Sequence, residues 1–323
     1  MPDSHRIAPA GADGREPSLH SGRLRIVDAH QHFWNLAENY YPWLCDEPPM
    51  QFRYGDSSPL RQNYLPDDYR SDAASYELTG TVHCEAEWDP KNPLGETAWI
   101  EKVAAAHGLP TVCVGHARLD QPDAEEVLAA QARSPLMRGI RYKPRAASSP
   151  RDARRGEPGS MDDPAWRRGY ALLARHGLSF DLQTPWWHMD AAAELARDHP
   201  ETLIVINHTG LPSDRSAEGL TGWRHGLEAA ASQPNVAIKI SGLGRAGLPW
   251  TLQANGPVIR DAIAIFGNDR CMFASNYPVD RLAGSFDDIF AGFAASVADL
   301  PAPEREKLFE RNAIRIYRLP IPD

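Results

Sequence analysis

The sequence lacks any apolar run of 18 or more residues, so a membrane-spanning helix is not expected. It also lacks a basic surplus. Its 43 acidic and 34 basic side chains give a net charge of −9, which argues against a broad nucleic-acid footprint. No G-x-G-x-x-G and no G-x-x-x-x-G-K-[ST] opens a helix, so no nucleotide fingerprint is present. Cysteine is scarce: Cys45, Cys84, Cys113 and Cys271 form no C-x-x-C pair and read as buried free thiols. Residues 1–23 hold no apolar h-region and read as a disordered arm, which leaves a cytoplasmic location as the default expectation.

What is present is a regular alternation. Short apolar runs at Leu24–Val27, Thr81–Cys84, Thr111–Val114, Met137–Tyr142, Leu178–Leu182, Leu203–Ile206, Val236–Ile240 and Cys271–Ala274 read as strands buried on both faces. Helical patterns follow them, at Leu94–His107, Asp123–Gln131, Pro164–Arg175, Asp190–Arg197, Gly219–Ala231 and Pro257–Phe266. Two more close the chain, near Phe286–Val297 and Pro303–Ala313. Strictly alternating βα units call for a parallel sheet, and eight of them predict a closed (β/α)₈ TIM barrel as one α/β domain over 24–323. Long loops are expected after strands 1, 4 and 7, at Phe33–Pro66, Lys143–Asp163 and Gly242–Asn255. All leave strand C-termini, where barrel sites are built.

Candidate chemistry falls at the same ends. Asp28-Ala29-His30-Gln31-His32 places two imidazoles on one side of an extended chain, where they can hold a divalent metal. Polar loop histidines are the plainer alternative. His208 ends the sixth run, as a satisfied core group, a metal ligand or a carbonyl-polarising imidazolium. Seven basic residues against the single acid Asp152 lie between Arg138 and Arg155. Arg141 and Lys143 within them could hold a substrate carboxylate, against the plainer reading of a solvated loop. Gln183 stands at the fifth strand end. Trp186 walls a pocket or stacks on a helix, and His188 lines the pocket or caps the helix starting near Asp190. Lys239 on strand seven reads first as a structural ion pair. The first loop carries eight aromatics, Trp34 among them, and is expected to fold down over a pocket or to meet another copy in a homo-oligomer.

Several stretches in order resemble the amidohydrolase superfamily, in its amidohydrolase-2 branch of lactonase-like barrel hydrolases. They are Asp28 to Trp34, Val82-His83-Cys84-Glu85-Ala86, Arg138-Gly139-Ile140-Arg141, Asn207-His208-Thr209-Gly210, Lys239-Ile240-Ser241-Gly242 and Asn312 to Tyr317. The resemblance spans Leu24 to Leu319. It implies that His30, His32 and His208 surround a reacting carbonyl, with or without one divalent metal, zinc being the first expectation. An aspartate is usual at the eighth strand, where this chain has Ala274-Ser275-Asn276-Tyr277-Pro278. An amide takes no proton from water near neutral pH, so another base is needed. Glu85 is the leading candidate, with Glu87, Asp181 and Asp280 behind it. The expectation is hydrolysis of a small cyclic ester bearing polar or acidic groups, by metal- or histidine-assisted attack of water. Asn276 keeps two rivals open: a metal-independent or non-hydrolytic barrel (decarboxylase or hydratase), and a catalytically inactive binding protein.

Overall fold

A computed structural model describes residues 22–49 and 52–321. The arm predicted at 1–23 lies outside these residues, save Gly22 and Arg23. Eight strands form one parallel sheet in chain order: β1 (Arg25–Gln31), β2 (Glu77–Cys84), β3 (Val112–His116), β4 (Met137–Arg141), β5 (Ser179–Leu182), β6 (Ile204–Ile206), β7 (Val236–Ile240) and β8 (Cys271–Phe273). The predicted (β/α)₈ barrel is therefore the architecture observed, with the helices outside it. Valine and isoleucine recur along the strands because β-branched residues suit a pleated surface packed on both faces.

Two cores result. Inside the barrel, Val27, Val82, Val112, Val114, Val205 and Met272 pack together, and Ile316 and Tyr317 plug them from below. Outside, a larger aromatic and aliphatic shell joins strands to helices. Helix bounds follow the sequence pattern closely. The seventh crossover helix begins earlier than expected, at Leu252, because the Thr251 side chain accepts from the Ala254 amide and caps it. Pro257 then lies inside that helix rather than opening it. The eight aromatics of the first loop divide as expected of a folded wall: Phe33, Trp34, Tyr41, Tyr54 and Tyr64 are buried, and Tyr40 is exposed. No helix among the described residues is long and apolar enough to cross a membrane. All four cysteines are free, three of them buried.

The seam between the last and first strands is closed mainly by one side chain. Asp28 accepts from the Ser275 amide at 2.8 Å, the Ser275 hydroxyl at 2.5 Å, the Tyr69 hydroxyl at 2.8 Å and the His30 amide at 3.2 Å. Backbone bonds continue the closure above it: the Asn276 amide donates to the His30 carbonyl and the His32 amide to the Tyr277 carbonyl, both at 2.8 Å. Asp28→Ala would strip an acceptor from buried donors at the seam. We expect a loss of about 3–5 kcal/mol, read as a fall in melting temperature on the order of 6–12 °C. An unchanged melting temperature would show that the backbone bonds alone hold the seam.

Candidate active site

The histidines of β1 and β6 meet at the C-terminal mouth of the barrel. The ring of His30 lies 4.9 Å from that of His32 and 4.7 Å from that of His208, centroid to centroid. All three side chains are buried. Burial depresses each well below the usual histidine range, and neighbouring cations add to it: Lys239 for His30, Arg141 for His32, Arg53 for His208. The three imidazoles are thus held neutral.

Backbone geometry aims them. His208 and Thr209 both occupy the left-handed region, with φ of 52° and 56°, as does Asn276 at 57°. Such non-glycine conformations cost on the order of 1–3 kcal/mol each and collect at functional sites. The β-branched Thr209 is the strained member, whereas Asn276 is a residue type that tolerates the region, as is His208. Its ring fits only because residue 242 is glycine: a Cβ there would stand 2.6 Å from the His208 Cβ. The Ser241 hydroxyl meets His208 Nδ1 at 3.1 Å and turns the other ring nitrogen away.

Proton bookkeeping around His32 is informative. Its Nδ1 faces the Cys84 carbonyl at 2.7 Å and must donate to it. A neutral His32 therefore presents a bare Nε2. That atom lies 3.2 Å from His30 Nε2 and 3.3 Å from Asn276 Oδ1. The amide cannot turn its NH₂ inward, because that group donates to Asp280 at 2.6 Å. Lone-pair-bearing atoms therefore converge with no proton assigned between His32 and Asn276. Their spacing matches neighbouring ligands on a tetrahedral ion, which stand roughly 3.3 Å apart for bonds of ~2.0–2.1 Å. Neutral nitrogen donors and an amide oxygen fit one borderline divalent cation.

A second set of ligand-type atoms lies deeper. His30 Nδ1, Cys84 Sγ and an Asp181 oxygen stand within 4.8 Å of one another. Here a cation is already built in: Lys239 Nζ lies 2.6 Å from Asp181, 3.4 Å from Cys84 and 3.5 Å from His30. The Tyr317 hydroxyl donates to the same carboxylate at 2.9 Å, and Asn207 Nδ2 does so at 2.9 Å. Lys239 is thus the structural ion pair that its burial calls for. Burial pushes the Cys84 thiol up to about 12, so it stays protonated beside this pair.

Above the histidines opens a cavity of about 240 Å³. His32, His208, Asn276, Arg141, Lys143 and Gln183 all line it, as six of the predicted positions. His30 sits beneath, fully buried. Glu85 does not reach the lining. Its carboxylate takes Arg141 Nε at 2.6 Å and the Glu87 amide at 2.8 Å, and Arg141 also donates to its carbonyl. Burial raises its pKa, but Arg141, His116 and Lys143 outweigh this and hold it below the ordinary range. Trp34, Trp186 and His188 also lie outside the lining. Trp34 stacks behind His32 at 6.4 Å and donates to the Gln62 carbonyl. Trp186 packs on Gly222 of the helix Ala217–Ala231. His188 Nε2 accepts from the Ala147 amide at 3.0 Å and holds the loop after β4.

The basic loop divides likewise. Arg145 and Arg155 pair with Glu157, Asp162 and Glu194, and Arg138 bonds backbone carbonyls. Only Arg141 and Lys143 of that run reach the cavity. The sequence reading missed Arg53 and Val279 as lining residues, while Trp43 and Phe52 belong to the first-loop aromatics expected to fold over a pocket. Trp43 and Phe52 stack with ring centroids 5.9 Å apart. Crowding of aromatics in the first loop was the one signal available for them.

Known proteins resemble this chain in sequence and in fold. A family model described as amidohydrolase matches residues 27–319. The chain belongs to the amidohydrolase family. It is 41% identical over 297 residues to the protein y4mH of Sinorhizobium fredii, covering 92% of this chain and 99% of that one. It is 30% identical over 302 residues to an L-fucono-1,5-lactonase of Burkholderia ambifaria, covering 92% and 96%. A crystal structure of an amidohydrolase from Burkholderia multivorans with bound zinc superposes with a TM-score of 0.74 at 26% identity, covering 91% and 99%.

Behind the site wall, His83 and Glu96 form a neutral pair. The Phe33 amide donates to His83 Nδ1 at 3.2 Å, so His83 Nε2 donates to Glu96 at 3.1 Å. Burial lowers His83 to about 3 and raises Glu96 to about 8, Glu85 adding to the latter. A carboxyl raised on folding contributes stability below its unfolded pKa and loses it as pH climbs through the folded value. Glu96→Gln removes that titration and keeps the accepting oxygen. Between pH 5 and pH 8 the stability difference should move in favour of the variant by on the order of 2–4 kcal/mol, measured by urea unfolding at both pH values. A pH-independent difference would refute a protonated Glu96.

Proposed function

We propose that this amidohydrolase hydrolyses a small cyclic ester with polar substituents. The observation that carries the reading is the convergence of three neutral imidazoles at the mouth of one barrel, His32 and His208 lining a single cavity and His30 directly beneath them. The lactonase relatives add weight to it. Bare imidazole nitrogens repel the negative charge that develops on a ring carbonyl as water adds, so the reading calls for a divalent ion on those nitrogens or a proton on one of them.

His30, His32 and His208, joined by the oxygen of Asn276, are the residues that would hold a divalent ion, with zinc the metal best suited to that set. Such an ion, when bound, supplies Lewis acidity that polarises a carbonyl oxygen and acidifies water. Everything else is done by this chain. Asp280 fixes the Asn276 amide, so that its oxygen rather than its NH₂ faces the histidines. Gln183 and Arg141, bonded at 3.2 Å, orient ring substituents from the side of β4 and β5. Trp43 and Phe52 cover the ring and exclude water from one wall.

The proton acceptor we assign is Glu87. It lines the cavity, whereas Glu85, first in the sequence reading, is committed to holding Arg141. Lys143, which lines the same cavity, pairs with Glu87. Asp280 is pushed up to about 6 by burial, but it is spent on Asn276 and Tyr54. Asn276 also keeps a second reading alive, loss of CO₂ from a carboxylated ring, because such a step needs no base at the eighth strand. Release of CO₂ rather than acid equivalents from a cyclic substrate would favour it.

The test is turnover of a panel of five- and six-membered sugar lactones by a pH-indicator assay. His30→Ala and His208→Ala should each lower kcat/KM by ~10²–10⁴-fold, and Glu87→Gln by ~10²-fold or more through kcat. Turnover that survives both histidine changes would remove the assignment, and a binding protein would show none in any variant.

A further inference from the structure

Four charged side chains line the cavity, and three of them are accounted for. Arg141 is neutralised by Glu85 beneath it, and Lys143 by Glu87. The fourth is Arg53, on the first loop. Among the described residues no carboxylate lies within ion-pair distance of Arg53. Its guanidinium carbon rests 4.6 Å from the centroid of the Tyr54 ring, so one planar face is engaged while the N–H edges remain unspent. Asp280, whose acidity Arg53 increases, already accepts from Asn276 and Tyr54. Arg53 and His208 line the same cavity. In a chain of net charge −9, Arg53 thus stands over the candidate site with no carboxylate bonded to its N–H edges among the described residues.

We infer that Arg53 is the anchor for an anionic substituent, a carboxylate carried on the ring, and that the preferred substrate is an acidic lactone rather than a neutral sugar lactone. The inference rests on the hydrolytic reading above and adds the charge of the substrate and the residue that selects it. Planar, bidentate N–H geometry matches a carboxylate better than a hydroxyl. Arg141, with its edges partly committed to Glu85 and Gln183, is left to hold the wall rather than the anion.

Two measurements separate this inference from the reading beneath it. The first compares D-glucaro-1,4-lactone, which carries a free carboxylate, with the neutral D-glucono-1,4-lactone. The full chain should favour the acidic lactone by about tenfold or more in kcat/KM, and Arg53→Gln should cut that preference by about tenfold, mainly through KM. Arg53→Lys should restore part of it. The second is calorimetric titration with citrate as a carboxylate probe, which involves no turnover. Arg53→Gln should weaken citrate binding at least about fivefold. Citrate binding that ignores Arg53→Gln overturns the inference, as does equal turnover of the two lactones. Arg53-dependent citrate binding without turnover of either lactone would leave the anion site standing and remove the hydrolytic reading instead.

Discussion

A parallel sheet of eight strands that curls on itself has one seam left to join, and here a buried carboxylate joins it together with two backbone bonds. Asp28 gathers donors from β1, from the turn after β8 and from the helix carrying Tyr69. Because the same turn carries Asn276, closing the seam also sets that amide beside His32. Site and barrel closure are therefore one construction. The residue that opens the Asp-x-His-x-His sequence is spent on architecture, and the two histidines after it inherit their aim from it.

The electrostatic plan is layered. At the bottom a fully buried ion pair, Lys239 with Asp181, is satisfied by Tyr317 and Asn207. Above it the imidazoles are neutral and dry. Above those the charged side chains return, paired for the most part, Arg141 with Glu85 in the interior and Lys143 with Glu87 where water can reach them. A low-dielectric floor under a polar rim makes each donor at the floor count for more than it would in water. The left-handed turn at His208 and Thr209 is the conformational cost of putting one of those rings there.

Much of this was legible in the sequence. The eight apolar runs located every strand, since burial on both faces leaves continuous hydrophobic stretches. His30, His32, His208, Arg141, Lys143, Gln183 and Asn276 were legible because each ends a strand, and strand ends converge in a barrel. Glu85 met the same criterion and turned inward to Arg141, because spacing cannot say which neighbour a carboxylate will find. Trp186 and His188 follow β5 by only a few residues, yet a short helical turn, Trp186–His188, swings them onto the outer shell. Arg53 was invisible for the opposite reason. It belongs to an irregular loop with no periodicity, and only the packing of Trp43, Phe52 and Tyr54 brings it over the mouth.

Tyr317 carries a consequence for biogenesis. Its hydroxyl completes the polar network under His30, and it lies on the final helix, Asn312–Tyr317. Strands emerge from the ribosome in order, so the first seven can associate while the rest is still being made. The Lys239–Asp181 pair nevertheless stays short of one partner until translation has run through the last helix and that helix has docked. The polar floor beneath the histidines is therefore completed by a helix made after all eight strands.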